Sequence, residues 1–244
     1  MSDPRARLAQ KGFTLLELVV MLAILAIVSS VIVPVAVGML KDADRARAEA
    51  DVQQLTTALT RFYADLRRLP SCAGKDCSRI GLPDSDGLTF LAVGEGDGDL
   101  SRSYPAERPG LRPRWNLRAN DEPSRGARNN AFNHLIRNDP NADGVIDARD
   151  YPRTRPGWQG PYLVSLGPDP WGRAYIATVG AIGPGRRPLS PGAGGWVLSA
   201  GPNGVLETAP DASVLGGDDI GVIFDARRLG PERDDARVHR DPSA

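Results

Sequence analysis

KGFTLLELVVMLAILAIVSSVIVPVAVGML, residues 11–40, is the stretch from which the fold of this chain is read. From Phe13 to Leu40 it holds a single charged side chain, Glu17. The run exceeds the roughly 20 apolar residues a helix needs to cross a bilayer. A secretory signal peptide has a shorter apolar run closed by a small-residue cleavage site. Ser29-Ser30 imitates such a site, but the apolar run resumes at Val31. Arg5, Arg7 and Lys11 outweigh Asp3 before it, so the positive-inside rule keeps the N-terminus in the cytoplasm. Everything after Leu40 is then exported. Glu17 breaks the pattern, because a carboxylate in lipid costs on the order of 3 kcal/mol and commonly marks function. The plain alternative is an interfacial side chain that reaches water.

Lys11-Gly12-Phe13-Thr14-Leu15-Leu16-Glu17 resembles the processing site of type IV prepilins and type II secretion pseudopilins. The resemblance implies cleavage after Gly12 by a prepilin peptidase and methylation of the new amino group on Phe13. Glu17 would then pair with the Phe13 ammonium of a neighbouring subunit. The physics agrees, since two charges that are each costly in lipid cost much less when they neutralise one another. Pro34 falls where pilins commonly carry a helix-bending proline, which removes a backbone hydrogen bond and kinks or locally melts the helix.

Downstream, KDADRARAEADVQQLTTALTRFYADLRRLP runs without Gly or Pro up to Pro70. Val52, Leu55, Leu59, Phe62, Leu66 and Leu69 recur every three or four residues, the mark of an amphipathic helix with one buried stripe. Arg47, Glu49, Gln53, Arg61 and Arg68 lie on the solvated face. A coiled-coil dimer competes with this reading, but the run is short for one. The better account packs the outer half of the helix on the sheet of its own head. The expected fold class is therefore α+β: a long N-terminal helix, membrane-spanning and then amphipathic, on a small antiparallel sheet.

The organisation read from the sequence is a leader (1–12), a membrane and filament-core helix (13–40) and its amphipathic half (41–69). An irregular connecting region (70–157), a C-terminal sheet (158–224) and a charged, apolar-poor tail (225–244) follow. Short helical turns are expected around Gly87–Val93 and Asn129–Arg137. Strands are expected at Pro161–Leu166, Ala174–Val179, Gly195–Ala200 and Ile220–Phe224, with Pro184, Pro188 and Pro191 in the loop before the third. Three pieces of this part are similar to the major pseudopilin of type II secretion: Trp158–Leu163, Asp169-Pro170-Trp171-Gly172 with Tyr175, and Leu198–Gly204, followed by Asp218-Asp219-Ile220. Residues 71–157 are not covered and read as an insertion. Trp171 is expected to cover one end of the sheet.

Two calcium loops are candidates. Asp139 to Asp150 fits the twelve-residue EF-hand pattern, with oxygen side chains at the first, third, fifth, ninth and twelfth positions, glycine sixth and isoleucine eighth. Asp139, Asn141, Asp143 and Asp150 offer side-chain oxygens, Val145 a carbonyl, and Asp147 a contact through water. Gly144 permits the sharp turn. The loop ends in Asp rather than Glu and so resembles dockerin-like loops; a metal-free Asx-rich turn is the alternative. The second loop follows from the resemblance alone. There Asn203, Asp218 and Asp219 would supply side-chain oxygens, with carbonyls near Ala200 and Val205. Asn203 stands where the family usually has aspartate. In both loops the ion would be structural.

Composition limits other functions. Thirty basic residues balance thirty acidic ones, which leaves no basic field for nucleic acid. Cys72 and Cys77 suit a disulfide in an oxidising compartment, and C-x4-C is too sparse for a four-ligand zinc site. His134 and His239 are the only histidines, so most acid–base mechanisms lack their usual participant. His134 is read as structural, and no catalytic constellation or phosphate-binding glycine loop is evident. The resemblance implies a filament subunit, a homopolymer that also meets other pilin-like subunits, a prepilin peptidase and an inner-membrane assembly platform. Its head would lie in the periplasm. A surface-pilus subunit, a minor tip pilin and a calcium-dependent membrane-anchored adhesin are the competing readings.

Overall fold

The computed structural model describes residues 13–67, 69–70, 90–112, 114–115, 117, 127–148, 150–179 and 195–224. The leader, Cys72 and Cys77, Arg68, the loop with Pro184, Pro188 and Pro191, and the tail with His239 lie outside them. The chain divides into two compact units after Asp44.

Helix α1 spans Leu15–Leu66, 52 residues, and is continuous through Pro34. In the first unit Thr14 caps it: the Glu17 amide donates to Thr14 Oγ1 at 3.2 Å, satisfying one of the orphan donors of the first turn. The apolar side chains Leu22, Leu25 and Ile32 are exposed, each over more than half of its surface. Among the described residues this is the one helix long and apolar enough to cross a membrane.

In the second unit α1 behaves as its periodicity demands. Val52, Leu55, Leu59, Phe62 and Leu66 are buried, and Arg47, Glu49, Gln53 and Arg61 are exposed. Each buried side chain contributes about 1.5–3 kcal/mol. The helix stops at Leu66 because Arg67 adopts a left-handed φ of 56°, its amide donating to the Tyr63 carbonyl at 2.7 Å. Leu69 still packs on the core from beyond the helix.

Four strands form one antiparallel sheet: β1 (Phe90–Val93), β3 (Tyr175–Thr178), β4 (Gly195–Ser199) and β6 (Ile220–Phe224), in the order β1-β3-β4-β6. A parallel pair, β2 (Ala106–Glu107) with β5 (Val205–Leu206), lies apart. Alternation sends Leu91, Val93, Tyr175, Ala177, Val197 and Phe224 into one cluster with Val52, Leu55, Leu59 and Phe62 of α1. Phe90, Ala92, Ile176, Trp196 and Leu198 fill the opposite cluster with Leu100, Tyr104, Trp115, Leu117 and Leu206. Gly195 is required by a close approach: a Cβ there would meet the Phe224 ring at 2.8 Å.

Three expectations are corrected here. The helical turn expected at Gly87–Val93 is strand β1 over Phe90–Val93, paired with β3 from Phe90↔Thr178 to Val93↔Tyr175. Its FLAV run is short and wholly apolar, which periodicity cannot assign, and pairing buries it on both faces. The connecting region is therefore less irregular than its composition implies. It supplies an edge strand and the layer that covers the outer face of the sheet. The strand expected at Pro161–Leu166 is an irregular segment after a cis Gly160–Pro161 bond. Its apolar residues pack on α1 instead of pairing: Tyr162 stands edge-on to Phe62 at 5.4 Å and its amide donates to the Leu135 carbonyl at 2.7 Å. Trp171 is only half-buried and belongs to neither cluster. The expected turns around 129–137 appear as a helical turn that widens into a π-helical one over Asn133–Arg137.

Candidate functional site

Phe13 and Glu17 lie at the start of α1, where Phe13 is 74% exposed and every neighbouring side chain is exposed as well. Thr14 and Glu17 stand at the spacing of a capping box, so the residue that places the carboxylate in an apolar run also starts the helix. Gly12 lies outside the described residues.

The turn after residue 168 is anchored by Asp169, which the sequence reading quoted without assigning it a task. It is buried and accepts from the Arg173 amide at 2.8 Å, the Trp171 amide at 3.1 Å and Ser199 Oγ at 2.7 Å. The carboxylate, not the tryptophan, fastens this turn to β4. Asp51 works similarly on α1: it accepts from the Tyr175 hydroxyl at 2.7 Å and pairs with Arg47 at 3.6 Å.

His134 is fully buried, with Nδ1 at 2.7 Å from the Tyr151 hydroxyl and Nε2 at 2.7 Å from the Arg128 carbonyl. The carbonyl can only accept, so Nε2 carries the proton and Nδ1 takes the tyrosine's hydrogen bond. Burial lowers the imidazole pKa to about 4, which keeps the ring neutral and structural.

Around residues 139–150, Asp139 is buried and accepts from the amides of Asp143 at 3.2 Å and Gly144 at 2.9 Å. Asp143 accepts from the Val145 amide at 2.9 Å and from Asn141 Nδ2 at 2.9 Å. Asp150 accepts from the Asp147 amide through Oδ2 at 2.6 Å. Gly144 has φ 78°, so its conformation demands glycine although a Cβ would find open space. Val145 and Ile146 point to solvent, both more than half exposed.

Around residues 200–219, Asn203 Oδ1 accepts from the Val205 amide at 2.6 Å, and the Asn203 amide donates to Asp218 Oδ2 at 3.2 Å. Asp219 Oδ2 accepts from the amides of Glu207 at 2.9 Å and Thr208 at 2.7 Å. Ala200 is buried just past β4, and Val205 opens β5. Glu207 was missed by sequence reasoning. Its Oε2 receives Asn203 Nδ2 and the Asp218 amide, each at 3.3 Å. Only its acidic type and its place a few residues beyond Asn203 hinted at it. Burial raises the pKa of Asp219, with the Glu207 charge adding to the shift. Among the described residues, no three Asp, Glu, His or Cys side chains gather as a metal cluster.

A long apolar N-terminal helix packed on a small antiparallel sheet is a pilin-like α+β architecture, and this one starts with a prepilin-type motif. Residues 7–33 match the family profile described as the prokaryotic N-terminal methylation motif. Curated relatives of this N-terminal region are named type II secretion system core protein G. The protein from Pectobacterium carotovorum subsp. carotovorum is 42% identical over 62 residues, 25% of this chain and 40% of the relative. Those from Aeromonas hydrophila and Escherichia coli (strain K12) are 40% identical over 62 residues and 36% over 67, covering 25% and 28% of this chain and 43% and 46% of the relatives. The chain thus spans less than half the length of these relatives. No solved structure matches.

Proposed function

We propose that this chain is a structural subunit of a type II secretion filament, of the major pseudopilin kind. The observation that supports it most is the joint presence of the methylation motif, a single carboxylate in an exposed apolar helix, and a head packed on the distal part of that helix. Prepilin peptidase would cut after Gly12, and Phe13 would be methylated. In the inner membrane, Glu17 would pair with the Phe13 ammonium of an adjoining subunit, whose burial together costs less than burying either alone. Helices of this and other pilin-like subunits would then pack laterally on the assembly platform, with the heads in the periplasm. The exposed apolar surface of α1 supports this, because lipid or neighbouring helices can cover it.

The role is structural rather than enzymatic. The head's one described histidine is neutral and committed to two hydrogen bonds. Calcium held by Asp218, Asp219 and Asn203, with main-chain oxygens near Ala200 and Val205, would tie the loop between β5 and β6 to the end of β4. Asp218 Oδ1 and Asp219 Oδ1 support this fit, since both are buried without a hydrogen-bond partner. Cys72 and Cys77, in the exported part, would form a disulfide.

The test is deletion of the gene followed by complementation with wild type or Glu17→Val. Exoprotein secretion should be lost on deletion, restored by wild type, and not restored by the variant although its leader is cleaved. Normal secretion in the deletion strain would refute the reading, and long surface fibres lost with the gene would move the chain to a surface pilus.

A further inference from the structure

Apart from the assembly helix and the β5–β6 loop, one group of oxygens has no task in the proposed filament. We propose that Asp139–Asp150 is a separate calcium site, with side-chain oxygens from Asp139, Asn141, Asp143 and Asp150 and the main-chain oxygen of Val145, that fastens the connecting region to the core.

The spacing of these residues is one observation; the second is independent of it. Asp150 is 9% exposed, and its Oδ1 is buried with no hydrogen-bond partner, although Oδ2 accepts from the Asp147 amide. A buried carboxylate oxygen with nothing to receive costs about 1–3 kcal/mol or more, so it needs a partner that the protein does not supply. A cation suits that place, because Asp139, Asp143 and Asp147 share the loop with Asp150 and leave it rich in negative charge. A hard divalent cation with six to eight oxygen ligands meets this demand, and calcium tolerates the irregular geometry of a loop better than magnesium does. Among the described residues no three carboxylates stand gathered as a metal cluster, so Asp139, Asp143 and Asp150 would draw together around the ion as it binds, with the amide and main-chain oxygens completing its shell.

The loop ends explain what the ion would do. Asn138, just before the loop, adopts a left-handed φ of 60° and donates through Nδ2 to the Tyr151 carbonyl at 3.1 Å, closing the two ends on each other. Tyr151 stands edge-on to Phe62 of α1 at 5.1 Å, and its hydroxyl meets His134. An ion at Asp139 and Asp150 therefore pulls on the residues that seat the connecting region against the helix. Glu207, Asp218 and Asp219 belong to the other loop, so the two sites are separable by mutation.

The decisive experiment is calorimetric titration of calcium chloride into the full chain in detergent, stripped with EGTA, as wild type and Asp143→Asn. Asn keeps the acceptor for the Val145 amide and the side chain is exposed, so near-UV circular dichroism should be unchanged. The variant should lose one bound equivalent, or bind it at least fivefold more weakly, from a wild-type Kd of about 10⁻⁴–10⁻³ M. Hydrogen exchange in the loop should slow with calcium in the wild type and not in the variant. No binding by the wild type, or binding by the variant within fivefold at unchanged stoichiometry, overturns the proposal. Neither result touches the filament reading, which is tested by secretion.

Discussion

Phe62 is where the helix, the connecting region and the segment after Gly160 meet, and replacing it measures that junction. The side chain is fully buried and stands edge-on to Tyr151 at 5.1 Å and Tyr162 at 5.4 Å. Phe62→Ala removes the ring and leaves a cavity walled by side chains held from several directions, so collapse is limited. Such changes cost about 3–5 kcal/mol. Phe62→Leu keeps most of the apolar volume and loses mainly the two ring-edge contacts, each worth about 0.5–1.5 kcal/mol, for a total near 1–3 kcal/mol. Against a domain stability of about 5–15 kcal/mol, the alanine variant forfeits a substantial fraction. Urea denaturation of the full chain in detergent, followed by tryptophan fluorescence, should shift its midpoint down by about 2 M for Ala and about half that for Leu, at a slope near 2 kcal/mol per M. A loss below about 1 kcal/mol for Phe62→Ala, or equal losses for the two variants, would show that this junction does not hold the head to α1.

Further outcomes are expected elsewhere in the head. His134 has a folded pKa of about 4 against 6.5 unfolded, so the unfolded chain binds the extra proton between those values. Its contribution is intact above pH 6.5 and lost as pH falls towards 4, by roughly 3 kcal/mol. Stability measured from pH 7 to 4.5 should fall less steeply in His134→Gln than in wild type; parallel curves would contradict the burial argument. Asp150 and Asp219, with raised pKa values, act in the opposite sense, and the comparison with the variant removes them. Asp169→Ala strands the Ser199 hydroxyl and two amides and should cost about 3 kcal/mol or more by the same denaturation assay. Gly217→Ala would drive a Cβ into Glu207 Oε2 at a φ of 53°. Calorimetry on this variant should show the β5–β6 loop's calcium affinity reduced about tenfold, with the 139–150 loop unaffected.

Local patterns carried much of this. The apolar run, the motif at Gly12 to Glu17 and the stripe from Val52 to Leu66 are properties of neighbours along the chain, and in a helix spacing alone fixes which side chains share a face. The spacing of Asp139 to Asp150 is legible for the same reason. The tertiary structure decided what depends on distant partners. FLAV became an edge strand by pairing with β3, and Pro161–Leu166 stayed irregular, with Tyr162 packed edge-on to Phe62 of α1. Glu207 joined Asn203 and Asp218 through the fold of the loop, and the orphan oxygens of Asp150, Asp218 and Asp219 exist only because the fold buries them. A sequence sets periodicity and local hydrogen-bond spacing. Which polar atoms lose water, and which distant groups they then meet, is set only when the chain closes on itself.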